Sequence, residues 1–427
     1  MTPEYSLDRA IAEITSDLAS SVIDLRRDIH RFPELAGTEH RTAALVAGRL
    51  RAAGLTVTTG VGGHGVIAVL DGAGDNKRAA GDGPTVAYRA DMDAVGPLAV
   101  MPYPPSGGIH DGGFASAVPG VAHLCGHDLH TAIGVGVAEA LARIHDRLPG
   151  RVVFFFQPAE ETIEGARAMI EAGALEQHRP AEIYALHCGP FPVGTFAVMP
   201  GFGLPGVDQF QLAWPAPNST GDAGHRAQEA DRLAAAIAAL STVELPPTLA
   251  EFERMVVELQ RPDTALARFV TVRCGAEVTD GHVTVGGALK AWPDDRYPDL
   301  REQIATLAES AGASVEFLPE PFPGMVCSPD LTHAAATYLR RVLRPDAVIT
   351  LHASPPFFGE DFALFLQKVP GAMFFLGVAN EAEGIAGIPH MPDFAADERA
   401  IGIGVRAMAG LLSHRLMRAR TRSTTDR

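Results

Sequence analysis

The sequence predicts an α/β protein: a mostly parallel sheet domain covered by helices, interrupted by an inserted α+β domain of the split β-α-β, ferredoxin-like type. Three observations predict it. Strand-like and helix-like segments alternate up to about residue 203, the order then changes to β-α-β-β-α-β, and the alternation resumes by residue 326. Residues 1–203 and 320–427 are therefore assigned to the sheet domain and residues 204–319 to the insertion.

Each element has its own signal. Leu7, Ile11, Ile14, Leu18, Val22, Leu25 and Ile29 recur at spacings of three and four, the stripe of a helix that Pro33 must end. A second helix over 39–51 closes at Gly54, a left-handed cap. Short β-branched runs at 55–58, 66–70 and 85–88 read as strands, and the Gly, Pro and Ser of 96–120 as a loop. A helix from Thr131 carries Ile133, Val137, Leu141 and Ile144 on one face. Residues 152–156 form an unbroken apolar run, expected of a strand buried on both faces. A helix over Gly165–Glu171 and a strand over 183–186 follow. In the insertion, strands are expected at 209–214, 270–274, 283–289 and Ser314–Phe317, with helices at 228–240 and 299–311. Residues 241–266 do not fit that order and read as an extra helical piece. A helix over 331–342 and a strand at 373–376 return to the first pattern, and an Arg-rich tail from Arg415 is expected to fray.

With 427 residues the chain has room for two or three domains. Lys and Arg total 35 against 51 Asp and Glu, and the resulting charge of −16 excludes a phosphate-gripping nucleic-acid binder. Hydrophobic residues make up 47%, enough for a sizeable core, yet no apolar run reaches the roughly 18 residues of a membrane span. Met1-Thr2-Pro3-Glu4-Tyr5 shows no secretory pattern, and four cysteines are too few for a disulfide scaffold. A cytoplasmic, soluble enzyme is expected.

The segment most suggestive of chemistry is His123-Leu124-Cys125-Gly126-His127-Asp128-Leu129-His130. A thiolate and an imidazole two residues apart suit a borderline-soft divalent cation, although a buried thiol beside a solvated turn would look the same. Gln157-Pro158-Ala159-Glu160-Glu161 directly follows a buried strand, where open α/β sheets place their ligands. Two adjacent carboxylates point in different directions, so one can bind metal while the other moves a proton; an acidic helix start is the plainer explanation. His187 follows another strand and His390 lies in a late loop. Cys125, His127, Glu161, His187 and His390 are too many ligands for one tetrahedral ion and suit a pair.

These segments, together with Arg26-Arg27-Asp28-Ile29-His30-Arg31-Phe32-Pro33-Glu34-Leu35, Tyr88-Arg89-Ala90-Asp91-Met92-Asp93, Gly359-Glu360-Asp361-Phe362 and Pro389-His390-Met391-Pro392, resemble the M20 metallopeptidase family. The resemblance is to its amidohydrolase branch, which contains hippurate hydrolase, N-acyl-amino-acid amidohydrolases and plant auxin-conjugate hydrolases. It implies a metal-binding catalytic domain with an inserted lid, and two divalent ions per chain (Zn, Mn, Co or Ni). The implied ligands are Cys125, His127, Glu161, His187 and His390, with Glu160 as the general base that passes a proton from water to the leaving amine. Asp91 and Asp93 are expected to orient histidine ligands, with Asp128 and Asp361 in similar roles. The implied substrate is a small-molecule amide, and the implied assembly a homodimer formed through the lid.

The insertion departs from the family pattern. Where a Gly-Gly-His stretch is usual, the chain reads Pro217-Asn218-Ser219-Thr220-Gly221-Asp222-Ala223-Gly224-His225, and a usual Gly-Thr-x-Arg is Gly287-Ala288-Leu289-Lys290. Lys cannot reproduce the planar fork of Arg on a carboxylate. His225 and Lys290 are the lid residues left as substrate contacts. Two functions stay open: an amidohydrolase acting on N-acyl amino acids or similar conjugates, and a metal-binding, non-catalytic homologue that binds a ligand or partner.

Overall fold

A computed structural model describes residues 3–73, 83–104, 113–214, 222–279 and 282–425. Part of the 96–120 loop and the stretch Pro217–Gly221 of the departing lid motif thus lie outside the described residues. Two compact units emerge: Met1–Pro200, Cys327–Thr350 and Leu364–Arg427 form the first, Gly201–Val326 and Leu351–Ala363 the second.

The strands are β1 (Thr56–Val61), β2 (Gly65–Asp71), β3 (Thr85–Asp91), β4 (Arg151–Gln157), β5 (Glu182–Pro192) and β6 (Phe196–Val198). They continue with β7 (Asp208–Ala213), β8 (Phe269–Thr279), β9 (His282–Trp292), β10 (Ser314–Phe317), β11 (Val348–Thr350) and β12 (Gly371–Ala379). The helices needed below are α1 (Pro3–Arg31), α2 (His40–Ala52), α3 (His127–Ala142) and α4 (Gly165–Glu171).

The first unit carries an eight-stranded sheet in the order β1-β2-β4-β3-β5-β12-β6-β11. Its centre is parallel: β4 with β3, β3 with β5, and β5 with β12. Val152 to Phe156 of β4 are fully buried, as expected of a central strand. Helix α3 is buried almost all round. Glycines make this possible, since a Cβ on Gly134 would press on Phe156 and one on Gly136 on Val405 and Val22.

Three boundaries close to the candidate residues differ from the sequence-based expectation. Helix α3 starts at His127, four residues before Thr131, β3 runs on to Asp91, and β5 continues through His187 to Pro192. The first two extensions carry polar residues that break the apolar pattern but find buried partners: His127, Asp128 and His130 on α3, Arg89 and Asp91 on β3. His187 consequently lies on the strand, opposite Phe375 of β12, and not after it. The expected frayed tail is also corrected. Residues Arg399–Thr425 form one helix, and Arg415 is buried where its Nε donates to Glu182 Oε2 at 2.8 Å.

Asp128, expected to orient a histidine ligand, instead faces α1. Its Oδ2 lies 2.7 Å from Arg26 Nε and 2.9 Å from His30 Nδ1, with both Arg26 and Asp128 buried. Burial opposes ionisation, but Arg26 and His30 outweigh it and hold the carboxyl well below its usual range. The resulting stability is present above the unfolded carboxyl pKa of about 4 and is lost as pH falls toward the lower native value. Arg26→Met strands this carboxylate and is expected to cost about 3–5 kcal/mol, read as a lower urea midpoint. An unchanged midpoint would show that the pair does not anchor α1 to α3.

The second unit is a four-stranded antiparallel sheet, β10-β7-β9-β8, packed on helices at 222–238 and 297–310. Along β7 burial alternates, with Phe210 and Leu212 inward. The extra piece at 241–266 holds a helix at Leu249–Glu258 capped by the Thr248 side chain. The sequence assigns residues 1–203 and 320–427 to the sheet domain, but 201–203, 320–326 and 351–363 group with this second unit. His352 N–H donates to Leu259 O at 2.8 Å, and Lys290 Nζ donates to Phe357 O at 3.1 Å.

Candidate metal centre

Parallel strands deliver their carboxyl ends to one edge of the first unit, and the candidate residues collect there. Asp91 ends β3, and Asp93 lies two residues on. Glu160 and Glu161 sit in the turn after β4, His187 on β5, and Cys125 and His127 at the entry to α3. Gly126, between those two, has φ +84°, and a Cβ there would collide with Cys188 Sγ. Only glycine meets both conditions, which explains its place in Cys-Gly-His.

Cys125 Sγ lies 3.3 Å from His187 Nε2. His127 Nε2 is 3.7 Å from Glu160 Oε2 and 3.7 Å from Glu161 Oε1, and His390 Nε2 is 3.6 Å from Glu161 Oε1. Cys125, His127 and His187 bring their donor atoms within 4.8 Å of one another, and so do Cys125, Glu161 and His390. Cys125 is common to both groups.

Each of these histidines is locked by its other nitrogen. His127 Nδ1 donates to Asp93 O (2.9 Å) and lies 3.1 Å from Asp93 Oδ1; His187 Nδ1 donates to Cys188 O (2.7 Å); His390 Nδ1 donates to Ala99 O (2.7 Å). Held in this way, each Nε2 faces the shared space, the arrangement that metal-ligating histidines adopt. Asp93 does a second job, its Oδ2 accepting from Glu161 N at 2.9 Å.

Asp91 is placed differently from expectation. Its Oδ1 accepts from His130 Nδ1 at 2.7 Å, its other oxygen contacts the Arg89 guanidinium, and it is 3.9 Å from His127 Nε2. His130, not a member of the expected set, completes the chain by accepting from Cys188 N at 2.8 Å. Arg89 in turn donates to Gln157 Oε1 at 2.8 Å. The signal that could have found His130 is its spacing three residues after His127 on one helix.

Of the remaining expected residues, Asp361 and Lys290 belong to the second unit. Asp361 is buried, and Lys290 bonds Phe357 as above. His225 stands on the 222–238 helix with an exposed side chain, 3.6 Å from Glu229.

Charge and orphaned atoms point to a cation. Burial would raise Asp91, but His127, Arg89 and His130 outweigh it and hold it ionised. Burial, reinforced by His130, keeps His187 neutral, the form that ligates. Burial and then Glu161 push the Cys125 thiol well up, so a thiolate there needs a strong positive neighbour. His127 Nε2 and Glu161 Oε1 are buried with no hydrogen-bond partner among the described residues. Sulfur, imidazole and carboxylate donors, two of them orphaned, fit a divalent cation.

The comparisons with known proteins agree. Residues 87–414 match the model of peptidase family M20/M25/M40. The chain belongs to that family. A Synechocystis protein described as a probable hydrolase is 32% identical over 92% of this chain and 95% of its own length. The N-acetylcysteine deacetylase of Bacillus subtilis is 30% identical over 91% of this chain and 95% of its own. Among solved structures, a Bacillus subtilis protein described as a dinuclear metal-binding peptidase from the M20 family covers 94% of this chain and 99% of its own, at 27% identity and TM-score 0.66. This M20 chain is a hydrolase, its fold the α/β catalytic and lid type, and no helix among its described residues is long and apolar enough to cross a membrane.

Proposed function

We propose that the protein hydrolyses the amide bond of an N-acyl amino acid or similar small conjugate, using two divalent cations and Glu160 as general base. The observation that carries the reading is the convergence of Cys125, His127, Glu161, His187 and His390, with three histidine Nε2 atoms pre-aimed and two buried donors unpartnered. These five residues would hold the ions, and Asp93 would fix His127 and Glu161 together. Relatives named for deacetylating N-acetylcysteine and for hydrolysing IAA-amino acid conjugates support the substrate class.

A bound ion pair would acidify water and polarise the scissile carbonyl. Glu160 takes the proton from the attacking water and returns it to the departing amine. Its carboxylate is nearly buried and lies 3.7 Å from His127 Nε2, while the adjacent Glu161 lies within 3.7 Å of His127 and 3.6 Å of His390. His225 and Lys290 are the lid groups proposed to meet the substrate.

The test is release of free amino acid from a panel of acylated amino acids, with Zn²⁺, Mn²⁺, Co²⁺ or Ni²⁺ added. Turnover on at least one member is expected. Metal bound without turnover on any would favour the rival reading, a binding protein, for which the exposed His225 and the Lys290 already engaged by Phe357 speak. Because ligation must expel the raised Cys125 proton, Zn²⁺ affinity is expected to climb with pH and binding to release protons. Calorimetry in two buffers of different ionisation enthalpy measures this; a pH-independent affinity would argue against thiolate ligation.

A further inference from the structure

The turn that presents Glu160 is held from outside. Ala159 has φ +51° and Ile163 φ +61°, two left-handed positions filled by residues that avoid them. The turn closes on itself through Ile163 N–H to Glu160 O (2.7 Å) and Gly165 N–H to Ala159 O (3.0 Å). Those bonds leave the Ala159 N–H to be satisfied elsewhere, and it donates to Glu39 Oε1 at 2.8 Å, a contact made across 120 residues.

Glu39 occupies the residue before α2, where a side-chain oxygen ordinarily accepts from its own helix. It does not, because Glu34 has taken that work: Glu34 Oε1 accepts from Arg41 N at 2.9 Å and Oε2 from Thr42 N at 2.8 Å. Glu39 is thereby released to reach Ala159, steadied by Gly37 N–H on the same oxygen at 2.8 Å. The whole residue is buried and forms no ion pair among the described contacts. Burying a carboxylate on backbone donors alone is unfavourable, and an apolar residue would fill the space without that cost. The expense is understandable where a backbone must be fixed. Asp93 holds the next N–H but one, at Glu161, so carboxylates brought from two other segments bracket Glu160.

We propose that Glu39 is a positioning residue for the reaction: through the Ala159 N–H it fixes the turn that sets where the Glu160 carboxylate points. The proposal rests on the reading of Glu160 as the base.

Glu39→Asp keeps the charge but draws it back by one methylene, out of reach of Ala159, whereas Glu39→Gln keeps an oxygen in place. Glu39→Asp is expected to lower kcat about 10–100-fold, the scale of an ångström-sized displacement, with KM and the affinity for Zn²⁺ changed less than about threefold. Glu39→Gln is expected to stay within about threefold of wild type in kcat. Hydrogen exchange supplies a reading independent of turnover: the amides of 158–165 should exchange at least about tenfold faster in Glu39→Asp and near wild-type rates in Glu39→Gln. Wild-type exchange and kcat in Glu39→Asp would overturn the proposal, as would a parallel loss of metal or a Glu39→Gln variant as impaired as Glu39→Asp. Should Glu39→Asp fail to fold, hydrogen exchange in the wild type decides: an Ala159 amide as protected as those of β4 supports the proposal, and one exchanging at the rate of an open loop overturns it. Retained turnover in Glu160→Gln removes the base assignment, whereas a dead Glu160→Gln beside a fully active Glu39→Asp removes only the role of Glu39.

Discussion

Glu160→Gln is expected to lower kcat by about 10²–10⁴-fold, the range that a positioned proton shuttle contributes, while both cations remain bound. The amide is nearly isosteric with the carboxylate, so packing and the turn are kept and only the proton-accepting oxygen is lost. Because the proposed acid-base duty falls on this residue in both halves of the reaction, the loss should appear in kcat more than in KM. Metal content and melting temperature should match wild type. Retained turnover would assign the base elsewhere; loss of metal would mean that Glu160 is itself a ligand.

Cys125→Ala is the second change with a large expected effect. Cys125 is common to the two donor groups proposed to hold the cations, so its removal should weaken both proposed positions at once. Outer partners of metal ligands typically account for 10–100-fold in affinity, so losing a shared ligand is expected to exceed about 100-fold and to bring turnover to background. Asp93→Asn provides the graded comparison, with an expected loss of about 10–100-fold, because it loosens His127 and Glu161 without removing a donor. Equal metal affinity in wild type and Cys125→Ala would place the ions elsewhere.

The sequence made the site legible wherever chemistry concentrates in a short segment. Cys125-Gly126-His127 and Glu160-Glu161 could be read directly, and the buried run at 152–156 located the second pair at a strand end. What stayed hidden depended on partners distant in sequence. The start of α3 at His127 was obscured because His127, Asp128 and His130 look like loop residues until Asp93, Arg26 and Asp91 are seen to satisfy them. Asp128 reads as support for a ligand because its neighbour His127 is a proposed one, yet in a helix adjacent residues face about 100° apart, and Asp128 turns to α1. Glu39 gave no signal at all, since its role appears only when α2 is set beside the turn after β4. Arg415 looked like part of a polar tail, but its partner, Glu182, comes from a strand 233 residues earlier.

Crystals soaked in Zn²⁺ or Mn²⁺ and measured at the metal's absorption edge address the central claim most directly. Two anomalous peaks per chain are expected, about 3.5–4 Å apart and ringed by Cys125, His127, Glu161, His187 and His390. Peaks lying away from those side chains, or none at saturating metal, would contradict it.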